Sequence, residues 1–118
     1  LNTPKKAPKL DRDTCRIAWD QPATAICNLI RGLSPYPGAW SRLENYGETL
    51  HAKILAARHS DRDEEASPGT IHVESGRLWV QASDTLVELT EIQLEGRRRM
   101  PVKDLLNGYH LNKDARFL

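Results

Sequence analysis

The sequence predicts a mainly β domain: a small antiparallel barrel with one amphipathic helix before it and a short helix after it. Three observations carry this. Residues 23–33 hold one helical apolar face, residues 39–95 alternate with the period of strands, and a proline and a glycine bracket residues 101–108.

The elements follow in chain order. Leu1 to Leu10 holds Pro4, Pro8, Lys5, Lys6 and Lys9 without apolar periodicity and reads as an extended basic arm. Arg16-Ile17-Ala18-Trp19 is a short apolar stretch, a strand or an anchored extension. Asp20 is placed as a helix N-cap with Pro22 in the first turn. Ala23, Ile26, Cys27, Ile30 and Leu33 then share one helical face, which stops at the proline- and glycine-rich corner Ser34 to Gly38. Leu50, Ala52, Ile54 and Ala56 alternate against His51 and Lys53 as a half-buried strand. Ser60 to Pro68 is an exposed acidic loop. Ile71 and Val73 alternate across His72; Leu78, Val80 and Ala82 alternate with Trp79 opposite, and Ser83-Asp84 turns the chain. Val87 and Leu89 share one parity while Ile92 and Leu94 share the other, so a β-bulge is expected near Thr90-Glu91. Pro101 to Asn107 is the last helix, with Pro101 in its first turn and Gly108 as its stop. Five or six short strands result, and a sheet of that size avoids open edges by closing, often as a barrel of the oligonucleotide-binding type.

Length and composition agree with one domain. A chain of 118 residues buries roughly 65% of the surface its unfolded form exposes, enough for a core without metal or disulfide staples. At 39% hydrophobic and 28% charged it has an ordinary globular composition. Its apolar runs fall short of the roughly 18–20 residues that cross a bilayer, so no membrane helix is expected. Two cysteines are too few for a disulfide framework and read as reduced, intracellular thiols. The one methionine is Met100 and the chain opens Leu1-Asn2-Thr3, so it is expected to be a piece of a larger protein.

The formal net charge of +1 hides a segregated pattern. Residues 1–20 carry five basic and three acidic groups, and residues 97–118 six against two. Residues 59–96 carry two basic groups, Arg62 and Arg77, against nine acidic ones. If the two ends meet in the fold they form one basic face suited to a phosphate backbone; a merely solvated surface is the alternative.

Catalytic motifs are missing. Cys15, Cys27, His51, His59, His72 and His110 have no metal-ligand spacing, so no metal is expected. No glycine-rich phosphate loop, nucleophile elbow or zinc signature occurs. Cys27 reads as a core residue, and His51 and His72, at outward strand positions, as solvated. Trp19 and Trp40 read as packing residues; for Trp79 both packing and base stacking stay open. The strongest local signal is Arg97-Arg98-Arg99, three consecutive cations after a strand, with Lys103 one helical turn on. So dense a cluster repels itself unless an anion compensates it, which points to phosphate contact. The residues themselves describe a binding or structural module without catalytic, cofactor-binding or metal-binding residues.

Two long stretches resemble a known family. Ala7-Pro8-Lys9-Leu10, Ile17-Ala18-Trp19 and Asn28 to Trp40 (NLIRGLSPYPGAW) resemble the linker and opening helix of the C-terminal domain of methionyl-tRNA formyltransferase. Ile92 to Met100 (IQLEGRRRM), followed by Asp104 to Tyr109 (DLLNGY), resembles the end of that domain, with Pro68 to Ile71 and Leu78 to Val80 at its middle strands. The Arg31-to-Trp40 motif is shared with formyltransferases acting on sugar nucleotides; the Glu95-to-Tyr109 motif is more specific to the tRNA enzyme. Ala18 stands where the family has an acidic residue, and Pro101 where it has a capping serine or threonine.

The resemblance implies a basic linker over residues 1–10 and an open, oligonucleotide-binding-like formyltransferase C-terminal barrel over 11–118. It implies a cytoplasmic parent enzyme that takes a formyl group from 10-formyltetrahydrofolate and places it on methionyl initiator tRNA in translation initiation. Catalytic and folate residues would belong to an N-terminal catalytic domain, the second partner, and none carries over. What carries over is tRNA contact by Lys5, Lys6, Lys9, Arg97, Arg98, Arg99 and Lys103. Arg31 is expected to act as a structural hydrogen-bonding residue. The rival readings are a bracing or oligomerisation module, a self-contained small enzyme, and the appended domain of a sugar-nucleotide formyltransferase.

Overall fold

Two hairpins, one nine-residue strand and two strands of two residues each build the sheet. The computed structural model describes residues 15–34, 38–60 and 66–118; the basic arm with Lys5, Lys6 and Lys9, the centre of the Ser34–Gly38 corner and most of the acidic loop lie outside them. The elements run α1 (Ala23–Leu33), β1 (Ala39–Asn45), β2 (Glu48–His59), β3 (Ile71–Glu74), β4 (Arg77–Gln81), β5 (Leu86–Leu94), β6 (Met100–Pro101), α2 (Val102–Gly108) and β7 (Arg116–Phe117). The strand order is β3-β4-β5-β2-β1-β7, with β6 paired to β5, and every pairing is antiparallel.

The two ends of this sheet meet. Thr70 bridges Arg116, and the N–H of Phe117 donates to the carbonyl of Gly69 at 2.9 Å, so the sheet is a nearly closed barrel. The closing contact requires glycine. Gly69 sits at φ +94°, and a Cβ there would lie 2.2 Å from the Phe117 carbonyl oxygen.

Helix α1 lays Ala23, Ile26, Ile30 and Leu33 on the sheet, and each of its larger side chains contributes about 1.5–3 kcal/mol by leaving water. Its start differs from the expectation. Pro22, not Asp20, occupies the N-cap position and supplies no side-chain cap. The N–H of Ala23 donates instead to Asp84 Oδ1 at 2.9 Å; Asp20 sits in the preceding turn, two positions too early. Cys27 lies half-buried at the rim of the core rather than within it, and its burial pushes the thiol up, partly offset by the Arg31 charge.

Strand β5 changes parity as its sequence requires. Val87, Leu89, Ile92 and Leu94 all reach the core, because the ladder passes from Ala57–Leu89 to Ala56–Glu91 to Ile54–Ile92 and leaves Thr90 and Leu55 unpaired. The irregularity expected near Thr90 is therefore present and is matched by one at Leu55 of the partner strand.

Among the described residues the sheet has seven strands rather than five or six; β6 and β7, of two residues each, are too short to show a period. Pro101, expected within the first turn of α2, instead occupies its N-cap position at the end of β6 without a side-chain cap, and the helix runs through Gly108, the expected stop, to end at Tyr109. Neither outward histidine is simply solvated. His51 stacks on Trp40 with centroids 4.9 Å apart, and His72, half-buried opposite Trp79, encloses a Nε2 without a partner. Trp79 is buried on the outer face beneath the Arg77 guanidinium, 4.9 Å from its ring. Trp19 lies inside, donating to Ser41 Oγ at 2.9 Å and packing on Phe117 at 5.4 Å.

Candidate nucleic-acid interface

The turn between β5 and β6 presents the arginine cluster. Gly96 takes φ +78°, a conformation that glycine adopts without strain, and the N–H of Arg97 donates back to the Leu94 carbonyl at 2.9 Å. Two side chains of β5 brace the turn. Gln93 Nε2 donates to the Arg97 carbonyl at 3.2 Å, and Glu95 accepts from the His51 N–H at 2.9 Å while its own N–H donates to His51 at 2.8 Å. The cations stand on a fixed base.

The three arginines then part ways. The Arg97 guanidinium carbon lies 5.1 Å from the Tyr109 ring centroid, within cation–π range. The Tyr109 hydroxyl accepts from Asn45 Nδ2 at 3.1 Å, and Asn45 also holds the His110 carbonyl at 3.0 Å and the Asn112 N–H at 2.8 Å. Arg98 is exposed with no carboxylate partner among the described residues. Arg99 turns back and pairs bidentately with Glu91, Nη2 to Oε1 at 3.1 Å. That bond holds the Glu91 carboxyl below its ordinary value, against the opposing desolvation, with the Arg99 charge helping. Lys103, exposed on α2, lies against the β3–β4 turn at Gly76.

Of the residues singled out in the sequence, the structure thus places Arg97 and Arg98 together on one turn, without carboxylate partners among the described residues. It ties Arg99 to a neighbouring strand and sets Lys103 beside a different turn. Asn45 and Tyr109, which position Arg97, were not singled out. Tyr109 ends the DLLNGY motif, whereas nothing local marks Asn45, whose partners are more than sixty residues away. Arg31 donates to Asn28 Oδ1 one turn back in α1, in line with its structural reading.

The most perturbed titratable group serves the fold. Glu88 accepts from Arg77 at 2.8 and 2.9 Å and from Arg58 at 2.9 Å, and its side chain is 7% exposed. The Arg77 hydrogen bonds, more than the opposing burial or the Arg58 contact, bring its carboxyl down to about 2. A carboxylate pinned between two guanidiniums is a fixed anion, unsuited to moving protons at neutral pH. The cleft between residues 16–20 and β7, about 530 Å³, is lined by Ile17, Trp19, Phe117, Arg16, Asp20 and Arg116 among others. That lining contains no paired nucleophile and base. No group of His, Cys, Asp or Glu among the described residues could hold a metal ion, and no helix among them is long and apolar enough to cross a membrane.

Comparison with known proteins extends the picture. The family model described as formyl transferase, C-terminal domain, matches residues 9–110. A methionyl-tRNA formyltransferase of Bacteroides fragilis is 40% identical over 112 residues, 92% of this chain and 34% of its own. That of Acidobacterium capsulatum is 40% identical over 111 residues, 93% of this chain and 34% of its own. The chain therefore spans about a third of the length of these curated relatives. Among solved structures, HypX from Aquifex aeolicus, in complex with tetrahydrofolic acid, superposes with a TM-score of 0.65 at 18% identity, covering 90% of this chain and 19% of that one. This likeness concerns the fold.

Proposed function

The chain belongs to the formyl transferase C-terminal domain family, and on that premise we propose that it is the non-catalytic, tRNA-contacting domain of a cytoplasmic methionyl-tRNA formyltransferase. In the parent enzyme the amino group of methionyl initiator tRNA attacks the formyl carbon of 10-formyltetrahydrofolate. The N–C bond forms, the bond from the formyl carbon to the folate nitrogen breaks, and that nitrogen takes up a proton to match the one the amine gives up as tetrahydrofolate leaves. That chemistry, and the folate site with it, belongs to the N-terminal catalytic domain. This chain contributes affinity and orientation, because contacts to the sugar-phosphate backbone position an RNA without reading its sequence.

The observation that carries the reading is the β5–β6 turn. Arg97 and Arg98 stand exposed on a braced base without carboxylate partners among the described residues, in a chain 35–42% identical to proteins named methionyl-tRNA formyltransferase. Lys103, and Lys5, Lys6 and Lys9 of the arm, are proposed as further phosphate contacts; Arg99 contributes less because Glu91 holds it.

The test is kinetic. In the full-length parent, replacing Arg97 and Arg98 with alanine should raise KM for methionyl initiator tRNA more than it lowers kcat, as loss of uniform binding does. The purified 118-residue chain should show no formyl transfer. Formylation by the chain alone, or an unchanged KM with a collapsed kcat, overturns the proposal.

A further inference from the structure

The outer face of β1 and β2 carries a second group of cations, apart from the arginine turn. In the ladder Trp40 stands opposite Lys53 and Arg42 opposite His51, on the side away from the buried Ala39, Ser41 and Leu43. Arg16 joins them through a parallel bridge to Trp40, fixed by the Ile17 N–H donating to the Trp40 carbonyl at 2.8 Å. The guanidinium carbons of Arg16 and Arg42 lie 5.3 and 5.8 Å from the Trp40 centroid, and the His51 ring stacks on the indole at an interplanar angle of 24°.

This arrangement holds charge in place. Trp40 is only 5% exposed, so it offers no face for a stacked base; it steadies the two guanidiniums through its π-face. No carboxylate among the described residues pairs with Arg16, Arg42 or Lys53. Two that lie beside this face have other donors: Glu95 accepts from the His51 N–H at 2.9 Å, and Glu44 from Arg116 at 3.2 Å. Three permanent cations that pair with no carboxylate among the described residues repel one another, and an anion laid across them relieves that repulsion.

The face is also continuous with the arginine turn. Lys53 pairs with Gln93 of β5, Gln93 holds the Arg97 carbonyl, and His51 is doubly hydrogen-bonded to Glu95 at the turn's start. The cations therefore form a strip from Arg16 through Arg42 and Lys53 to Arg97 and Arg98. Of the exposed large apolar side chains among the described residues, Tyr46, Val73 and Leu118, Leu118 borders this strip through its N–H bond to the Arg42 carbonyl, and Tyr46, in the β1–β2 turn, stacks on His110. An acidic protein partner would need an apolar centre to bury.

We infer that the outer face of β1 and β2 is a second phosphate-contacting surface, on which Arg16, Arg42 and Lys53 hold the sugar-phosphate backbone of an RNA and Trp40 is the positioning residue. The inference rests on the RNA-binding reading of the arginine turn and extends the same footprint.

The experiment measures binding of the 118-residue chain to deacylated bulk tRNA across a salt series, and its association with the separately purified catalytic domain. The triple variant Arg16→Ala, Arg42→Ala, Lys53→Ala should flatten the slope of log affinity against log salt by about two to three, since each lost phosphate contact removes about 0.7–0.9. The charge-keeping variant Arg16→Lys, Arg42→Lys, Lys53→Arg should retain the slope, which separates lost contact from a damaged fold. A wild-type slope in the alanine variant, with a flattened one in Arg97→Ala, Arg98→Ala, overturns this inference and leaves the turn reading standing. No salt-dependent tRNA binding by the wild-type chain overturns both. An alanine variant that keeps its tRNA slope but no longer associates with the catalytic domain makes the face a protein interface and overturns the inference.

Discussion

The carboxylate of Asp84, in the turn before β5, caps helix α1 by accepting the N–H of Ala23 at 2.9 Å. It does the work of a local N-cap from the far side of the sequence, so helix and sheet hold each other. The Ala23 hydrogen bond is the first cause that brings the Asp84 carboxyl below its ordinary value. A depressed folded-state pKa gives stability that is present above the unfolded value and lost as pH falls through the folded one. Asp84→Ala should lower the melting temperature and speed hydrogen exchange at the Ala23 amide, whereas Asp84→Asn should retain most of both. Unchanged exchange in the alanine variant would remove the cap from the account.

Glu88 also contributes to the acid limb of stability. Its carboxyl is held at about 2, so its contribution is complete above the ordinary carboxylate pKa of about 4.5 and disappears as pH falls towards 2. Glu88→Gln should cost about 2 kcal/mol at neutral pH, below the full penalty of breaking a buried pair because Arg58 and Arg77 can rehydrate. Chemical denaturation at pH 7 and pH 3 checks this: the gap between wild type and variant should narrow at the lower pH.

Gly69→Ala tests the barrel closure. The added methyl group meets the Phe117 carbonyl oxygen at 2.2 Å, on a backbone at φ +94°. The expected cost is about 2–4 kcal/mol, or local detachment of β7. Because Trp19 packs on Phe117, detachment should appear as a red shift in tryptophan emission before global unfolding.

The unequal arginines of the turn predict unequal effects. Arg98→Ala should flatten the salt slope of tRNA binding by about 0.7–0.9, and Arg99→Ala should change it little, because Glu91 already engages that guanidinium. Equal slopes for the two variants would contradict the assignment.

Much of the fold was legible because it is written in local periods. The face of α1, the alternation of β2 to β5 and the parity change at Thr90 are patterns within one segment, and each specifies an element. What depends on register was hidden. Trp40, Arg42, His51 and Lys53 become one surface only when β1 pairs with β2 with Trp40 opposite Lys53, and the pairing of Arg99 with Glu91 reflects the β5–β6 register. Asp20 matched the local signature of an N-cap, yet Asp84 supplies the bond, since a side chain distant in sequence can satisfy the same orphan N–H. A run of three arginines reads as one cluster in sequence; a turn spreads consecutive side chains in different directions.

The seam between Gly69–Thr70 and Arg116–Phe117 also orders the events of folding. The hairpins β1–β2 and β3–β4 join residues that are neighbours along the chain, whereas the seam joins segments with four strands, β3 to β6, and helix α2 between them. Closing so long a loop costs more entropy before any contact repays it. The open sheet is therefore expected to assemble first, with the seam locking it afterwards. On the reverse path the lock releases first, and β7 is the strand from which the native state begins to breathe.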